Sequence, residues 1–538
     1  MRRYAVIAVV LLLLASACAK QNGSGAPAKP TGILRVAGYA EPTSLNPLLA
    51  TNTAENFLSS LAFDLLVTLD DKRNEVPDLA AIVPSLENHG ISTDGRTITY
   101  HLRHGVKWQD GAPFTSADVK FSWQAVMNPN NNVVERRGYD QVASVDTPDA
   151  YTVVFHLKQP FSPFVDTVFA ESDDPFRIVP KHLLAGYPNI NRVAFNQKPI
   201  GTGPFQVVRW YHGDHVEYAA NPHYFGGAPK LRKLLVYTVP DDNTRMAELR
   251  SHGSDLLLDI NASAYHSLHA LPTVRTLLAK APSFTSIVFN FKRPPLNDVR
   301  IRRAIIYAID DPRIVRDVTF GAGTVAIADL SDFYWAFDPA IKPYGYNPSL
   351  AGRLLDEAGW RRDSSGMRSK NGIRLSLQLV YGTGSATAQG IGVEVQSDLR
   401  RAGIDVPIKT YPYSMLYATQ QLGGILQSGK FDLTEYAWVA GADPDDSSQW
   451  LCSMAPPNGN NIGNYCDRSL DAAERDALTH FDRATRKRAY SRIESLLVND
   501  AAAAFIYYTP RRYALNPNLQ NFSPNGVSEG WNAYLWSL

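Results

Sequence analysis

Apolar and polar residues alternate from Thr97 to Leu102: Ile98, Tyr100 and Leu102 are apolar, while Thr97, Thr99 and His101 point the other way. Period two belongs to a half-buried strand. The period then changes. Asp110-Gly111 marks a turn, Thr115 with Asp118 three residues on reads as a helix N-cap, and Val119, Trp123 and Val126 follow at helical spacing. The same two periods recur along the chain. Strands are predicted at Ile33 to Ala37, Tyr151 to Leu157, Ile287 to Phe291, Leu375 to Tyr381, Phe431 to Trp438 and Ala504 to Tyr508. Helices are predicted within Phe57 to Leu69, over Arg302 to Ile309, from Asn347-Pro348 to a stop at Gly359, over Gly390 to Arg401 with Gly403 as stop, and within Ser469 to Val498. Mixed elements of this kind imply an α/β or α+β protein built on two lobes.

A chain of 538 residues is too long for one ordinary core and calls for two or three domains. Its formal charge of +1 gives no electrostatic case for nucleic acid or an anionic membrane surface. The first 18 residues read as a processing segment: Arg2-Arg3, an apolar run from Ala5 to Leu14, then Ala15-Ser16-Ala17-Cys18. That run is too short to span a bilayer as a finished helix. Cys18 at its end resembles a bacterial lipobox cysteine, although Ala15-x-Ala17 also suits ordinary signal peptidase. Residues 19–32 read as a flexible tether. The expected mature protein is therefore exported and held to the membrane only through a lipid on Cys18. Cys452 and Cys466 then remain, in an oxidising compartment where a disulfide is the default.

The run HLRHGVKWQDGAPFTSADVKFSW, His101 to Trp123, resembles the signature of the peptide/nickel-type solute-binding proteins of ABC importers. Ser44-Leu45-Asn46-Pro47, the turn Asn221 to Gly227, and Pro295-Leu296-Asn297-Asp298-Val299-Arg300 carry the same likeness. The resemblance implies a periplasmic-binding-protein-like two-lobed fold of the large three-domain type. Domain I would be discontinuous (33–63, 181–283 and 509–538), with domain II (64–180) inserted and domain III (284–508) as the second lobe. It implies capture of an oligopeptide or similar small solute between the lobes and delivery to an ABC permease, by a monomer with no cofactor. A Cys452–Cys466 disulfide beside the cleft is implied by a similar pair in dipeptide-type relatives.

The ligand is expected near Phe431 to Cys466. Trp438 and Tyr413 would be apolar walls, and backbone at Val439, Ala440 and Gly441 and at Thr51, Asn52 and Thr53 would pair with an extended peptide. Each has an ordinary reading too, as core aromatic or turn residue. Dipeptide binders of the resembled family carry an Asp where this chain has Gly441, and an Arg where it has Tyr381-Gly382-Thr383-Gly384. Asp443 is the nearest carboxylate that could substitute. With both charged anchors missing, ligands longer than a dipeptide, or uncharged ones, are expected.

Two other function classes make different demands on the sequence. A nickel or haem carrier would use His-x-x-His pairs, His101/His104, His212/His215 or His266/His269, but on a strand residues three apart face opposite sides, leaving only His266/His269 if helical. No metal ligands are assigned. A secreted hydrolase would need a nucleophile elbow or zincin motif, and neither is present. Gly201-Thr202-Gly203 lacks the Lys of a phosphate loop, and Gly321-Ala322-Gly323 is an incomplete dinucleotide fingerprint. No catalytic residue is assigned.

Overall fold

The computed structural model describes residues 32–538; Cys18, the leader and the tether up to residue 31 lie outside them. No helix among the described residues is long and apolar enough to cross a membrane.

Two large sheets organise the chain. The first runs in the order Arg275–Ala279, Arg511–Leu515, Leu256–Leu257, Ile33–Gly38, Lys233–Thr238, His215–Ala220, Phe205–Tyr211. Ile33–Gly38 lies at its centre, parallel to both neighbours. Leu34, Val36 and Ala37 are fully buried there, as a strand covered on both faces requires. The second sheet runs Thr324–Val325, Ala503–Tyr508, Ser283–Phe289, Leu433–Val439, Leu379–Gly382, Ile408–Tyr411. A three-stranded sheet with Thr152–Leu157 between Thr97–His101 and Val142–Asp149 packs into the core of the first large sheet.

The chain passes between the large sheets at two neighbouring places, Lys280 to Pro282 and Thr509 to Pro510. The Thr509 N–H donates to the Ser283 carbonyl at 3.0 Å, tying the crossovers together. Paired short crossovers are the geometry of a hinge between two halves.

Helix Ser116–Met127 starts at Thr115 with a complete capping box: the Thr115 N–H donates to the Asp118 carboxylate at 2.9 Å. The helix begun at Asn347-Pro348 and the one stopped by Gly403, at φ +88°, also form as the sequence predicts. The apolar run from Phe57 to Leu69 does not form one helix. It divides into helix Thr53–Ala62 and strand Val67–Leu69, because the Gly203 N–H caps the Ala62 carbonyl at 2.9 Å. Leu375 to Tyr381 is regular strand only over Leu379–Gly382, and Ser469 to Val498 is two helices, Arg468–Thr479 and Arg483–Asn499.

Candidate ligand-binding cleft

Two adjoining hollows open beside the end of Ile33–Gly38 and share Thr53, Phe57, Arg511 and Glu529. The first has an apolar wall of Phe57, Leu58, Val236 and Leu258. The second is more polar, with Glu171, Ser172, Asp173 and Arg177 on one side and Val439 and Ala440 on the other. The second cavity therefore takes walls from both halves of the molecule.

Its edges are built by capping. Glu55, 2 % exposed, accepts from the Thr43 N–H at 2.6 Å and the Thr51 N–H at 2.6 Å, folding the loop back onto its own helix. Asn52 is the N-cap, its side chain accepting from the Glu55 N–H at 3.1 Å. Thr53 follows, its hydroxyl bonded to that of Tyr39. Of the three residues expected to offer backbone here, Thr51 has already spent its N–H. Thr53 reaches the cavities.

The charges of the cleft are mostly balanced within it. Arg511 pairs with Asp259 at 3.2 Å, and these opposite charges hold the guanidinium above its ordinary range. Glu529 accepts from the Tyr513 hydroxyl at 3.0 Å; burial pushes its carboxyl up, and Arg511 draws it part of the way back. Arg177 donates to the Ser59 hydroxyl at 3.0 Å, and burial lowers its pKa against the pull of Glu171. Glu171 accepts from the Thr68 hydroxyl at 2.8 Å and is raised by burial against the pull of Arg177.

The strand expected to meet the ligand, Leu433–Val439, pairs along one side with Ser283–Phe289 at every residue. On the other side it pairs with Leu379–Gly382 only at Leu433 and Thr434. From Glu435 to Val439 that edge has no strand beside it among the described residues. An aromatic row accompanies it: Tyr413 stacks on Tyr417 at 5.8 Å, Tyr417 neighbours Tyr436 at 6.0 Å, and Tyr436 lies on Trp438 at 6.1 Å. Trp438 is half-buried between two core clusters, Tyr413 is exposed, and Val439 and Ala440 line the second cavity.

Gly441 does not face ligand space as an amine-binding residue would. It lies against the other half, where a Cβ would come within 2.6 Å of Ser172 Cα. The next N–H, of Ala442, donates to the Glu171 carbonyl at 2.7 Å. Asp443, expected as a substitute carboxylate, is turned away. It is 5 % exposed and accepts from Arg486 at 2.6 Å, a pair that removes it from the cavities. Cys452 and Cys466 are joined by a disulfide.

The histidine pairs stay apart in their contacts. His266 and His269 do share a helix, Ala262–His269, but His266 stacks on Phe320 and His269 bonds the Thr276 hydroxyl at 2.6 Å. Among the described residues no group of three or more His, Cys, Asp or Glu is arranged to hold a metal. Arg177, Asp259, Arg511 and Glu529 were missed by sequence reasoning. They come from distant segments with no shared motif, and only the first large sheet brings them to one mouth.

The profile of the bacterial extracellular solute-binding proteins, family 5 Middle, matches residues 75–460. The chain belongs to this family. It is the substrate-binding protein of an ABC importer, exported as the family is. Protein XP55 of Streptomyces lividans is 32% identical over 521 residues, covering 95% of this chain and 90% of that one. The oligopeptide-binding protein AppA of Bacillus subtilis is 27% identical over 545 residues, covering 99% and 97%. The AppA structure, in complex with a nonapeptide, superposes with a TM-score of 0.77 over 95% of this chain and 100% of that one. NikZ of Campylobacter jejuni, in complex with Ni(L-His), is 27% identical and gives 0.79 over the same shares. These neighbours carry the fold expected from the sequence, a mixed α/β periplasmic-binding-protein-like architecture.

Proposed function

We propose that this importer protein captures oligopeptides longer than two residues between its halves and hands them to its permease. The carrying observation is the unpaired edge from Glu435 to Val439, which ends where Val439 and Ala440 enter the cleft. An extended peptide adds to such an edge through backbone hydrogen bonds, which are indifferent to side chains and so admit many sequences. At ~3.3 Å per residue the edge is roughly 16 Å long, room for about five residues and more than a dipeptide fills. AppA, similar over nearly the whole chain, is a peptide binder solved with a nonapeptide. The same reading takes the halves as domains I and II against domain III, with boundaries at 33–63, 181–283 and 509–538, at 64–180 and at 284–508. It takes the mature protein as a monomer acylated on Cys18, with the Cys452–Cys466 disulfide formed, and assigns it no catalytic step.

The test is mass spectrometry of ligand retained by gently purified protein, followed by calorimetry with synthetic peptides of two to nine residues. Retained peptides and affinity that rises beyond two residues are expected. A retained solute without peptide bonds, or a dipeptide that outcompetes every longer peptide, would overturn the reading.

A further inference from the structure

Where Leu379–Gly382 and Leu433–Val439 part, there is a carboxylate that no described residue balances. The two strands run parallel with Leu379 opposite Leu433 and Val380 opposite Thr434. Tyr381 and Glu435 are the next residues of the two strands, just past the last pair. Side chains alternate along a strand, so both project on the face that Leu379 and Leu433 bury. Tyr413 closes the gap from the other side: its ring lies over Gly382, where a Cβ would come within 2.7 Å of Tyr413 Cζ. Tyr417 is stacked behind it with an interplanar angle of 7°.

Glu435 is 7 % exposed, and its carboxylate has no hydrogen bond or ion pair with any described residue. Three other acids of this region are held by partners: Asp443 by Arg486, Glu55 by the loop amides, Asp259 by Arg511. We propose that Glu435 receives a cationic group of the ligand, an ammonium or guanidinium, in a slot walled by Tyr381, Tyr413 and Tyr417. This rests on the peptide-capture reading and gives that site a charge preference.

The chemistry suits the occupant. A buried carboxylate without a partner is costly when charged, and a desolvated cation beside it restores the balance. Tyrosine faces attract cations, most of all where water is excluded. Burial pushes the Glu435 carboxyl up to about 7, so an arriving cation completes its ionisation near neutral pH. The hydroxyls of Tyr381, Tyr413 and Tyr417 are all raised, by burial first and then by the Glu435 charge. Sequence reasoning passed over the residue because a Glu alternating with apolar neighbours looks like a solvated strand position.

The test uses the mature protein and alanine-based hexapeptides in calorimetry. One pair has a free or an acetylated amino terminus; an acetylated set carries a single lysine or norleucine at each position in turn. Wild type is expected to bind at least one cationic peptide tenfold or more tightly than its neutral twin. The first pair reports the α-amine as the source, the second a side chain. Glu435→Gln should bring that ratio to within about threefold, and Glu435→Asp should keep part of it, with circular dichroism showing both variants folded. A preference unchanged in Glu435→Gln, or no cationic preference in wild type, overturns the assignment. If wild type binds no hexapeptide, the peptide reading fails separately. Thermal shifts with butylammonium and arginine amide then decide the slot: stabilisation seen in wild type and lost in Glu435→Gln keeps it, and none removes it.

Discussion

Gly441→Ala should hold the two halves apart. The added Cβ would come within 2.6 Å of Ser172 Cα and 2.7 Å of Asp173 N, both backbone atoms that no side-chain rotation can move. Ordinary carbon contacts begin near ~3.5 Å, so the facing segments must separate by roughly 1 Å. Overpacking of this kind costs about 1–3 kcal/mol. The Ala442 N–H···O bond to Glu171, 2.7 Å long, stretches with it, and a lost hydrogen bond adds about 1 kcal/mol. Arg137 sits across the same seam, 2.7 Å from Asp173 and 3.5 Å from Asp445, and is pulled from one of them.

Because the contact exists only when the halves meet, the cost falls on closure. Affinity then drops in proportion to the closed population, by roughly thirtyfold to several hundredfold for about 2–4 kcal/mol. Calorimetry with the retained ligand reads the loss, and small-angle scattering of the ligand-saturated variant should show a larger radius of gyration. Gly186→Ala, where nothing lies within 4 Å of the new Cβ, is the control. If Gly441→Ala binds within twofold of wild type and scatters identically, the seam is not what closure forms, and the reasoning is wrong.

Glu494 is 1 % exposed and pushed up to about 9 by burial, then by Asp329 and Asp338, from an ordinary 4.5. Its folded value lies above its unfolded one, so stability is whole below pH ~4.5 and is lost as pH rises towards 9. At 1.36 kcal/mol per unit this amounts to about 3 kcal/mol by pH 7. Glu494→Gln should therefore gain that much on wild type between pH 4.5 and 7 in denaturation, and a parallel pH profile would refute it. Trp438→Ala should weaken retained-ligand binding roughly thirtyfold, about 2 kcal/mol, and unchanged affinity would remove Trp438 from the pocket. Thiol labelling of non-reduced mature protein should find neither Cys452 nor Cys466, and reducing that loop should cost roughly 3 kcal/mol; two reactive thiols would deny the bond. Cys18→Ser should release the protein from membranes on fractionation, and equal retention would refute the anchor.

What the sequence made legible is what depends on neighbours along the chain. Thr115 and Asp118 cap their helix by local bonding, and the alternation at Thr97–His101 buries Ile98 and Tyr100 as its period demands. The run from Phe57 to Leu69 failed because it is buried on all sides, so periodicity could not separate helix from strand. The deciding contact, the Gly203 N–H on Ala62, comes from far along the chain. Asp443 failed for the same reason: an Asp before a Pro looks like a turn until Arg486 is folded against it.

The candidate site belongs almost wholly to the second kind of information. Arg511 and Asp259 meet because strand Arg511–Leu515 pairs with Leu256–Leu257, and Asp259 lies just past the end of the latter. Glu435 is notable only because Leu379–Gly382 turns away after Thr434, and no local pattern records where a neighbouring strand ends. A strand edge opened in this way serves a protein that must accept many peptides, since backbone pairing supplies affinity without reading side chains. One unpaired carboxylate at the start of that edge then gives it a direction or a charge preference. The seam at Gly441 decides whether the edge is covered. Edge, carboxylate and seam lie within seven residues of one strand and its exit, from Glu435 to Gly441, so ligand and closure act on the same short segment. On the peptide-capture reading, a ligand lying along it touches the residues that must meet Ser172 when the halves come together, so occupancy favours the closed form.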